Sequence, residues 1–338
     1  MKFSSYSLIS FLSMLALAGC GGSSSTMPPP PPTIGKIFVS MANEGTILRF
    51  AAGASGDARP EVHLRFEPSG PTFISLDVPH NRMAIVSNDG PPAVTLLDNA
   101  SEGGPAPRVV TGAATAMGSR IGLCALDNAN DLLYVAAALG SGTGTVLVFG
   151  PASTILGNVA PLRTFTTGFD PSGVLLDSAN NRLFLGDPVH NAIAIFDNAS
   201  TLTGSVAPTR TISGVATQIT APSDMVLDNS GRLILSNVNF SAATSNLLVF
   251  ANAGAANGNV APVASSLINR EPIEMAISPT GELYVVDGSD QVAVYGNVAT
   301  ASGAINPIRV IQGPDTGLGF FQPSIPGAPA GLALDPTR

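Results

Sequence analysis

Residues 173–213 read GVLLDSANNRLFLGDPVHNAIAIFDNASTLTGSVAPTRTIS, and this stretch decides the fold. It contains four short runs rich in apolar residues, at 173–177, 182–187, 192–196 and 208–212. Asp, Asn, Ser, Gly and Pro separate the runs, so each run predicts a β-strand that ends in a turn. Four consecutive strands within about 40 residues are typical of one blade of a β-propeller.

The same unit recurs six times along the chain. An apolar residue followed by a turn Asp marks one position, at Asp77, Asp127, Asp177, Asp228, Ser278 (in place of Asp) and Asp335. A Gly-x-x-x-Pro segment marks a second, beginning at Gly56, Gly103, Gly157, Gly204, Gly258 and Gly303. Both markers repeat about every 50 residues, which predicts an all-β, six-bladed propeller.

The two ends of the chain complete the sixth blade. Residues 331–335 (GLALD) predict a first strand with no second strand after them, and residues 35–40 (GKIFVS) predict a second strand with no first strand before them. We therefore expect residues 34–338 to form one ring of four-stranded blades. The C-terminal first strand would close it by pairing with the N-terminal second strand.

Composition excludes several classes of protein. The 338 residues carry a net charge of −8 and only 11% charged residues, which argues against a nucleic-acid-binding face. The 45% of hydrophobic residues argues against disorder, and 36 Gly and 28 Pro argue against long helices. Cys124 lies in the apolar run IGLCAL and is predicted to be a small buried core residue.

The N-terminal sequence predicts where in the cell the protein is located. Residues 8–18 (LISFLSMLALA) are too few to span about 30 Å of hydrocarbon, so residues 1–19 are predicted to be a signal peptide. The segment ends in LAGC at Cys20, which resembles a bacterial lipobox. This resemblance implies that Cys20 begins the mature chain and carries a lipid. The alternative is an ordinary signal peptide that happens to end in Cys.

Residues 20–33 are predicted to be a tether. They combine a flexible Gly/Ser stretch with an extended proline run, which would hold a domain away from a membrane. The expected location is the cell envelope, anchored to a membrane by the N-terminal lipid. Because Gly rather than Asp follows Cys20, the resemblance to lipoproteins favours the outer membrane if the cell has one.

The repeats also resemble a known group. Residues 249–254 (VFANAG), 204–214 (GSVAPTRTISG), 281–287 (GELYVVD) and 329–335 (PAGLALD) are similar to bacterial NHL-type repeats, and the similarity extends over residues 34–338. Propellers related in fold include gluconolactonase-type hydrolases and pure binding modules. The gluconolactonase type holds one ion with Glu, Asn and Asp, and the Asn and Asp stand between a Pro and a Gly. Ser172 and Ser223 stand at those two positions here, so no metal ligand is carried over.

Function is expected where the repeats differ, on the face formed by the blade starts and the loops between second and third strands. Asp224 and Glu274 stand four residues before the turn marker of two adjacent blades, where two other blades have glycine. Loops on the same face contribute Asp187, His190, Asn237 and Asp287. Oxygen ligands that converge on a channel suit a hard cation such as Ca²⁺, although the sequence identifies no metal. A solvated charged rim is the alternative interpretation.

Other polar positions are predicted to be structural. The repeated turn Asp can accept backbone N–H bonds, which is turn chemistry. The Gly-x-x-x-Pro segments and Arg108, Arg163, Arg210 and Arg309 are predicted to be solvated turns and edge charges. His63 and His80 are expected at the surface.

The sequence contains no complete catalytic set, no G-x-S-x-G elbow and no phosphate loop. We therefore expect a lipid-anchored binding or scaffold module that meets a protein, polysaccharide or small-molecule ligand through its channel-face loops. The alternative is a metal-dependent hydrolase of lactones or small esters in the central channel. A structural envelope component is a third hypothesis.

Replacing Cys20 by Ser is expected to release the protein from membranes, because the lipid acceptor is lost. Fractionation of cells into soluble and membrane pools measures this, with Cys124→Ser as the matched control that should stay with membranes. Sedimentation of the Cys20→Ser variant with membranes would contradict the lipobox interpretation.

Overall fold

Six small, mainly antiparallel sheets surround a central channel, which confirms the predicted six-bladed propeller. The computed structural model describes residues 35–319 and 329–338, apart from 43–44, 66–69, 105, 138–139, 141, 240–243 and 288. The predicted signal peptide at 1–19, Cys20 and the tether at 20–33 therefore lie outside the described residues. The described residues belong to one compact unit. Within the described residues, no helix is long and apolar enough to cross a membrane.

The first half of the chain holds β1 (Lys36–Met41), β2 (Thr46–Ala51), β3 (Val62–Arg65), β4 (Pro71–Asp77), β5 (Arg82–Ser87), β6 (Ala93–Asp98), β7 (Arg108–Thr111), β8 (Ile121–Asp127), β9 (Leu132–Ala137), β10 (Thr145–Phe149), β11 (Arg163–Thr166), β12 (Val174–Asp177) and β13 (Arg182–Asp187). The second half holds β14 (Ala192–Asp197), β15 (Gly204–Ser205), β16 (Arg210–Ser213), β17 (Pro222–Leu227), β18 (Leu233–Asn239), β19 (Thr244–Phe250), β20 (Ala264–Ile268), β21 (Glu274–Ile277), β22 (Leu283–Val286), β23 (Val292–Tyr295), β24 (Ser302–Ala304), β25 (Arg309–Ile311) and β26 (Pro329–Asp335). Single 3₁₀ turns occupy Ala100–Glu102, Ala113–Thr115, Ser178–Asn180, Ala199–Thr201, Val215–Thr217 and Pro314–Thr316.

Each blade contributes four strands from the channel outward. Blades one to five run β4–β5–β6–β7, β8–β9–β10–β11, β12–β13–β14–β16, β17–β18–β19–β20 and β21–β22–β23–β25. Blade six runs β26–β1–β2–β3 and contains both ends of the described chain. The pairing places Lys36 opposite Asp335 and Ile37 opposite Leu334, so the predicted closure is confirmed.

Stacking of the blades explains why their middle strands are apolar at nearly every position. In β13, Phe184 packs into a cluster shared with blade four, whereas Leu183 and Leu185 pack into a cluster shared with blade two. Both faces of the strand are therefore buried, and the polar alternation of a half-exposed strand is lost. The described residues form six such clusters, one at each junction between blades.

The turn Asp residues perform the predicted local role. Asp127 Oδ1 accepts hydrogen bonds from the backbone N–H groups of Ala129 and Asn130, at 3.0 and 3.2 Å. Equivalent bonds are made by Asp77, Asp177, Asp228, Ser278 and Asp335. In blades one to five this side chain fixes the turn between the first and second strands, and in blade six Asp335 holds the residues that follow β26.

The outer loops, which are the Gly-x-x-x-Pro segments between third and fourth strands, pair with the neighbouring blade. The N–H of Gly157 in blade two donates to the carbonyl oxygen of Val109 in blade one at 2.7 Å, and the N–H of Thr111 donates back to Gly157 at 3.2 Å. Parallel pairing of the same kind covers the outer strands β11, β16, β20 and β25. These loops were predicted to be solvated turns. They do lie at the surface, but within the described residues they also join five pairs of blades.

A second contact between blades recurs in every other blade, at the residue that follows the first Gly of the outer loop. The side chain of Asn158, which follows Gly157, accepts a hydrogen bond from the N–H of Ala114 in the preceding blade at 2.7 Å. A side chain on Gly112 would clash here, because its Cβ would lie 2.5 Å from Asn158 Oδ1. Asn259 and Asp57 repeat the contact, with Ala216 and Asp315 as donors. The ring is thus built from three two-blade units.

Two of the four predicted edge arginines, Arg108 and Arg309, are not free surface charges. Arg108 Nη2 donates to Asp98 at 2.8 Å, while its Nη1 donates to the carbonyl oxygens of Ala152 and Ile155 in blade two, at 2.9 and 3.0 Å. Arg309 makes the equivalent contacts from blade five to blade six. The prediction of edge charges is wrong for these residues, which clamp adjacent blades together.

Deletion of residues 331–338 is expected to open the ring and lower the melting temperature by more than about 10 °C, because blades five and one lose the strand between them. Circular dichroism melting measures the effect. Deletion of residues 336–338 alone keeps β26 whole and should cost much less. Equal melting temperatures for the longer deletion and the parent chain would refute closure through β26.

Candidate ligand-binding channel

The innermost strand of every blade lines the central channel. The channel cavity has a volume of about 250 Å³. Most residues that line it are aliphatic, including Ile74, Leu123, Val174 and Leu332, but polar atoms form most of the surface that faces the cavity. Asp224 and Glu274 line this same cavity, so the structure brings these two predicted residues together. Both are buried, with 4% and 6% of their surface exposed, and neither lies on a solvated rim.

Asp224 ties blade four to blade five. Its Oδ2 accepts a hydrogen bond from the backbone N–H of Met275 at 2.6 Å. Burial among the aliphatic channel walls disfavours the charged carboxylate and raises the pKa of Asp224 to about 7. The side chain is thus poised to change charge near neutral pH inside the channel.

Glu274 spans three blades. It starts β21 in blade five, and its Oε2 accepts hydrogen bonds from the N–H groups of Leu332 in blade six and Ile74 in blade one, at 2.7 and 3.3 Å. Gly331 makes room for this reach, because a Cβ there would lie 3.0 Å from Oε2. Burial first, and then the nearby charge of Asp224, raise the pKa of Glu274 well above its usual range.

The other predicted residues lie in separate local turns. Asp187 accepts hydrogen bonds from the N–H groups of Val189 and His190 at 3.1 Å each, and its second oxygen lies 2.7 Å from His190 Nδ1. Asn237 accepts hydrogen bonds from the backbone of Thr220 and Ala221 at 2.7 and 3.0 Å.

Asp287 belongs to a third local arrangement. Its carboxylate lies 2.6 Å from Arg270 Nη1 and accepts a hydrogen bond from the N–H of Ser289 at 3.1 Å. None of the four loop residues bonds to Asp224 or Glu274. The structure therefore does not gather the predicted set into one site.

The donors in the channel do not fit a Ca²⁺ centre. A Ca²⁺ ion takes six to eight oxygen ligands, whereas one oxygen of Asp224 and one of Glu274 are already occupied by backbone N–H groups. In the part of the chain that the structure describes, no three His, Cys, Asp or Glu side chains are grouped so as to hold a metal ion. Cys124 also lines the channel and is buried as predicted, and burial raises the pKa of its thiol.

A second cavity lies at the start of the innermost strands and shares Leu123 with the channel. We call it the channel mouth. Its volume is about 220 Å³, and it is lined by Phe73, Leu123, Ser172, Ser223, Val238, Glu271, Pro272 and Ile273. The hydroxyls of Ser172 and Ser223 donate to the carbonyl oxygens of Pro222 and Pro272 at 2.6 and 3.3 Å, which ties neighbouring blade starts together.

Sequence reasoning missed the apolar side of the mouth. Phe73 and Leu123 occupy the same repeat position as Asp224 and Glu274, four residues before the turn marker. That shared position is the signal in the sequence that points to the mouth, although Phe73 and Leu123 carry no charge. The mouth therefore combines an apolar wall with two hydroxyls and one carboxylate, Glu271.

Solved structures of other proteins show the same fold. The chain is similar to one in a crystal structure of a nidogen/laminin complex, with a TM-score of 0.54, 13% identity, and coverage of 89% of this chain and 98% of that chain. A functionally unknown protein from Desulfotomaculum acetoxidans matches with a TM-score of 0.56 and 13% identity over 88% of each chain. A candidate 6-phosphogluconolactonase from Bacteroides fragilis matches with a TM-score of 0.58, 13% identity, and coverage of 91% and 99%. Neither a protein-family model nor a curated protein matches the chain. At this identity the likeness establishes the propeller fold alone.

Replacement of Asp224 by Asn is expected to stabilise the protein at alkaline pH. The folded-state pKa of Asp224 is raised from 3.8 to about 7, so ionisation of Asp224 destabilises the folded state as the pH rises through this window. The Asn Oδ1 still accepts the Met275 N–H but carries no charge. At pH 8 the free energy of unfolding of the variant should exceed that of the parent chain by up to about 4 kcal/mol, and this difference should vanish near pH 4.

Urea unfolding across this pH range measures the difference. Asp315→Asn makes the same chemical change on the exposed surface and should not reproduce the pH dependence. If Asp224→Asn is less stable than the parent chain at pH 8, the charge on Asp224 is not a cost to the fold.

Proposed function

We propose that the protein is a binding module that takes up a small, largely apolar molecule at the channel mouth. The observation that carries this proposal is the lining of the mouth. An apolar wall with a few polar groups at fixed places is the usual composition of a small-molecule site. Phe73, Leu123 and Ile273 provide the wall, and Glu271 provides a polar group that can orient the ligand.

The channel beneath the mouth limits where the ligand sits. Polar atoms form most of the lining of the channel, so the apolar part of the ligand is expected to stay against Phe73, Leu123 and Ile273 at the mouth. The two buried carboxylates at the side of the channel hold the blades in place through backbone N–H groups. They therefore fix the shape of the cavity whether or not a ligand is present.

Envelope anchoring is part of the proposal. The LAGC segment at Cys20 and the Gly/Ser/Pro stretch after it support a lipid-anchored chain whose propeller stands off a membrane. Such a module would capture its ligand in the envelope and hold it near the membrane surface. The resemblance to NHL-type repeats also supports a binding role, because propellers related in fold include pure binding modules.

Hydrolysis of a lactone or small ester is the second candidate. The raised pKa of Asp224 favours it, because a carboxylate that titrates near neutral pH can serve as a general base. The donor set in the channel does not fit the Ca²⁺ ion that the gluconolactonase resemblance would call for. A binding role needs no such group, and we therefore prefer it.

The neutral dye N-phenyl-1-naphthylamine, whose fluorescence rises in apolar sites, tests the proposal. The Cys20→Ser chain is titrated with the dye so that no lipid or detergent is needed. Ile273→Asp places a charge in the apolar wall and is expected to weaken binding by about tenfold or more.

Val215→Asp is the matched control, because Val215 is an apolar residue of the rim with 93% exposure. Equal loss of binding in both variants would mean that the dye coats the surface. Absence of saturable binding to the parent chain, or full binding by Ile273→Asp, would overturn the proposal. Lactone turnover by the parent chain that disappears in Asp224→Asn would replace it with the second candidate.

A further inference from the structure

The outer edge of blade six differs from the other five outer edges. The outer strands β7, β11, β16, β20 and β25 each pair in parallel with the outer loop of the next blade. The outer strand of blade six is β3 (Val62–Arg65). Within the described residues, no backbone pair joins β3 to the outer loop of blade one.

The local structure of blade one explains the difference. Gly103, the residue expected to pair with β3, instead caps the 3₁₀ turn Ala100–Glu102 and donates its N–H to Ala100 at 3.4 Å. In blade three the corresponding turn is followed by Leu202 in an extended conformation. Leu202 and Thr203 then carry the chain to Gly204, which pairs with β11.

The register of β3 shows which backbone groups are left at the edge. Val62 of β3 lies opposite Arg49 in β2, and Arg108 of β7 lies opposite Leu96 at the equivalent position of β6. His63 and Arg65 therefore stand where Val109 and Thr111 stand in β7, the residues that bond to the next blade. The carbonyl oxygen of His63 and the N–H of Arg65 face outward, and no described residue bonds to them.

The charge of this edge is opposite to that of the chain. Four cationic side chains lie at or beside this edge, against two carboxylates; the cations are Lys36, Arg49, Arg65 and Arg338, and the carboxylates are Glu61 and Glu102. The edge is therefore basic, although the whole chain carries a net charge of −8. Two copies joined edge to edge would bring like charges together, whereas an acidic strand would neutralise them.

We propose that β3 is a docking edge for an extended, acidic segment of a partner protein, which adds to blade six as a parallel strand. The five internal pairs provide the template, since each adds a short parallel segment to an outer strand. Main-chain hydrogen bonds give such strand addition its affinity, and side-chain charge selects the partner.

A labelled peptide tests the proposal. The probe is STLTGDVEP, which is residues 200–208 of this chain with the changes S205D and A207E. Fluorescence polarisation with the full chain should show saturable binding that weakens as salt increases. A peptide with Pro in place of its Gly cannot donate the required N–H and is expected to bind at least about tenfold more weakly.

Three variants of the chain locate the binding. Insertion of Leu-Thr after Glu102 gives blade one the loop of blade three and should cover β3, abolish peptide binding and leave the melting temperature equal or higher. Arg65→Ala removes one charge and keeps the outward N–H, so it should weaken binding moderately. Arg65→Pro removes both and should weaken binding by about tenfold or more.

The outcomes separate the possible occupants. No saturable binding of the peptide to the parent chain overturns the proposal. So does undiminished binding to the insertion variant, because the peptide then binds elsewhere. Light scattering that shows a dimer of the parent chain and a monomer of the insertion variant would make a second copy the occupant, which also overturns the acidic partner.

Discussion

The structure depends on the pairing of β26 with β1, because this pairing makes the last blade a neighbour of the first. Leu332 and Leu334 of β26 pack toward blade five, whereas Ala333 packs toward blade one. Without this strand, two apolar blade faces would be exposed to water, and the six junctions would become five. Burial of both faces of every blade therefore requires a closed ring.

Closure brings two further sets of contacts into register, one at the channel and one at the rim. At the channel, Glu274 crosses the side chain-free position of Gly331 to reach Ile74 on the far side of blade six. At the rim, outer loops join five pairs of neighbouring blades within the described residues, and Arg108 and Arg309 clamp two of these pairs. Both sets use backbone groups as partners, so they depend on the exact spacing of the blades rather than on the identity of neighbouring side chains. This explains how a ring with few charged residues is held at its inner and outer edges.

Much of the fold was predictable because local chemistry fixes it. The turn Asp, the apolar middle strands and the split sixth blade all follow from patterns within a single repeat. Contacts between repeats were harder to predict. Nothing within the sequence around Asn158 indicates that its side chain reaches Ala114, and Arg108 reads as a surface charge until blade two supplies its carbonyl partners. The Asn or Asp that makes this contact recurs in every second blade of the sequence, but its role is recognisable only once its partner in the preceding blade is known.

The candidate site was predicted only in part for the same reason. Asp224 and Glu274 were identified by their place in the repeat, and the structure does put them in one cavity. Their chemistry depends on burial, which a single sequence does not reveal, and on hydrogen bonds that both carboxylates accept from backbone N–H groups of neighbouring blades. Because both carboxylates bond to backbone N–H groups, the proposed binding site relies instead on the apolar residues at the mouth, among them Phe73 and Leu123. The same position in the repeat thus serves the fold in blades four and five and lines the mouth in blades one and two.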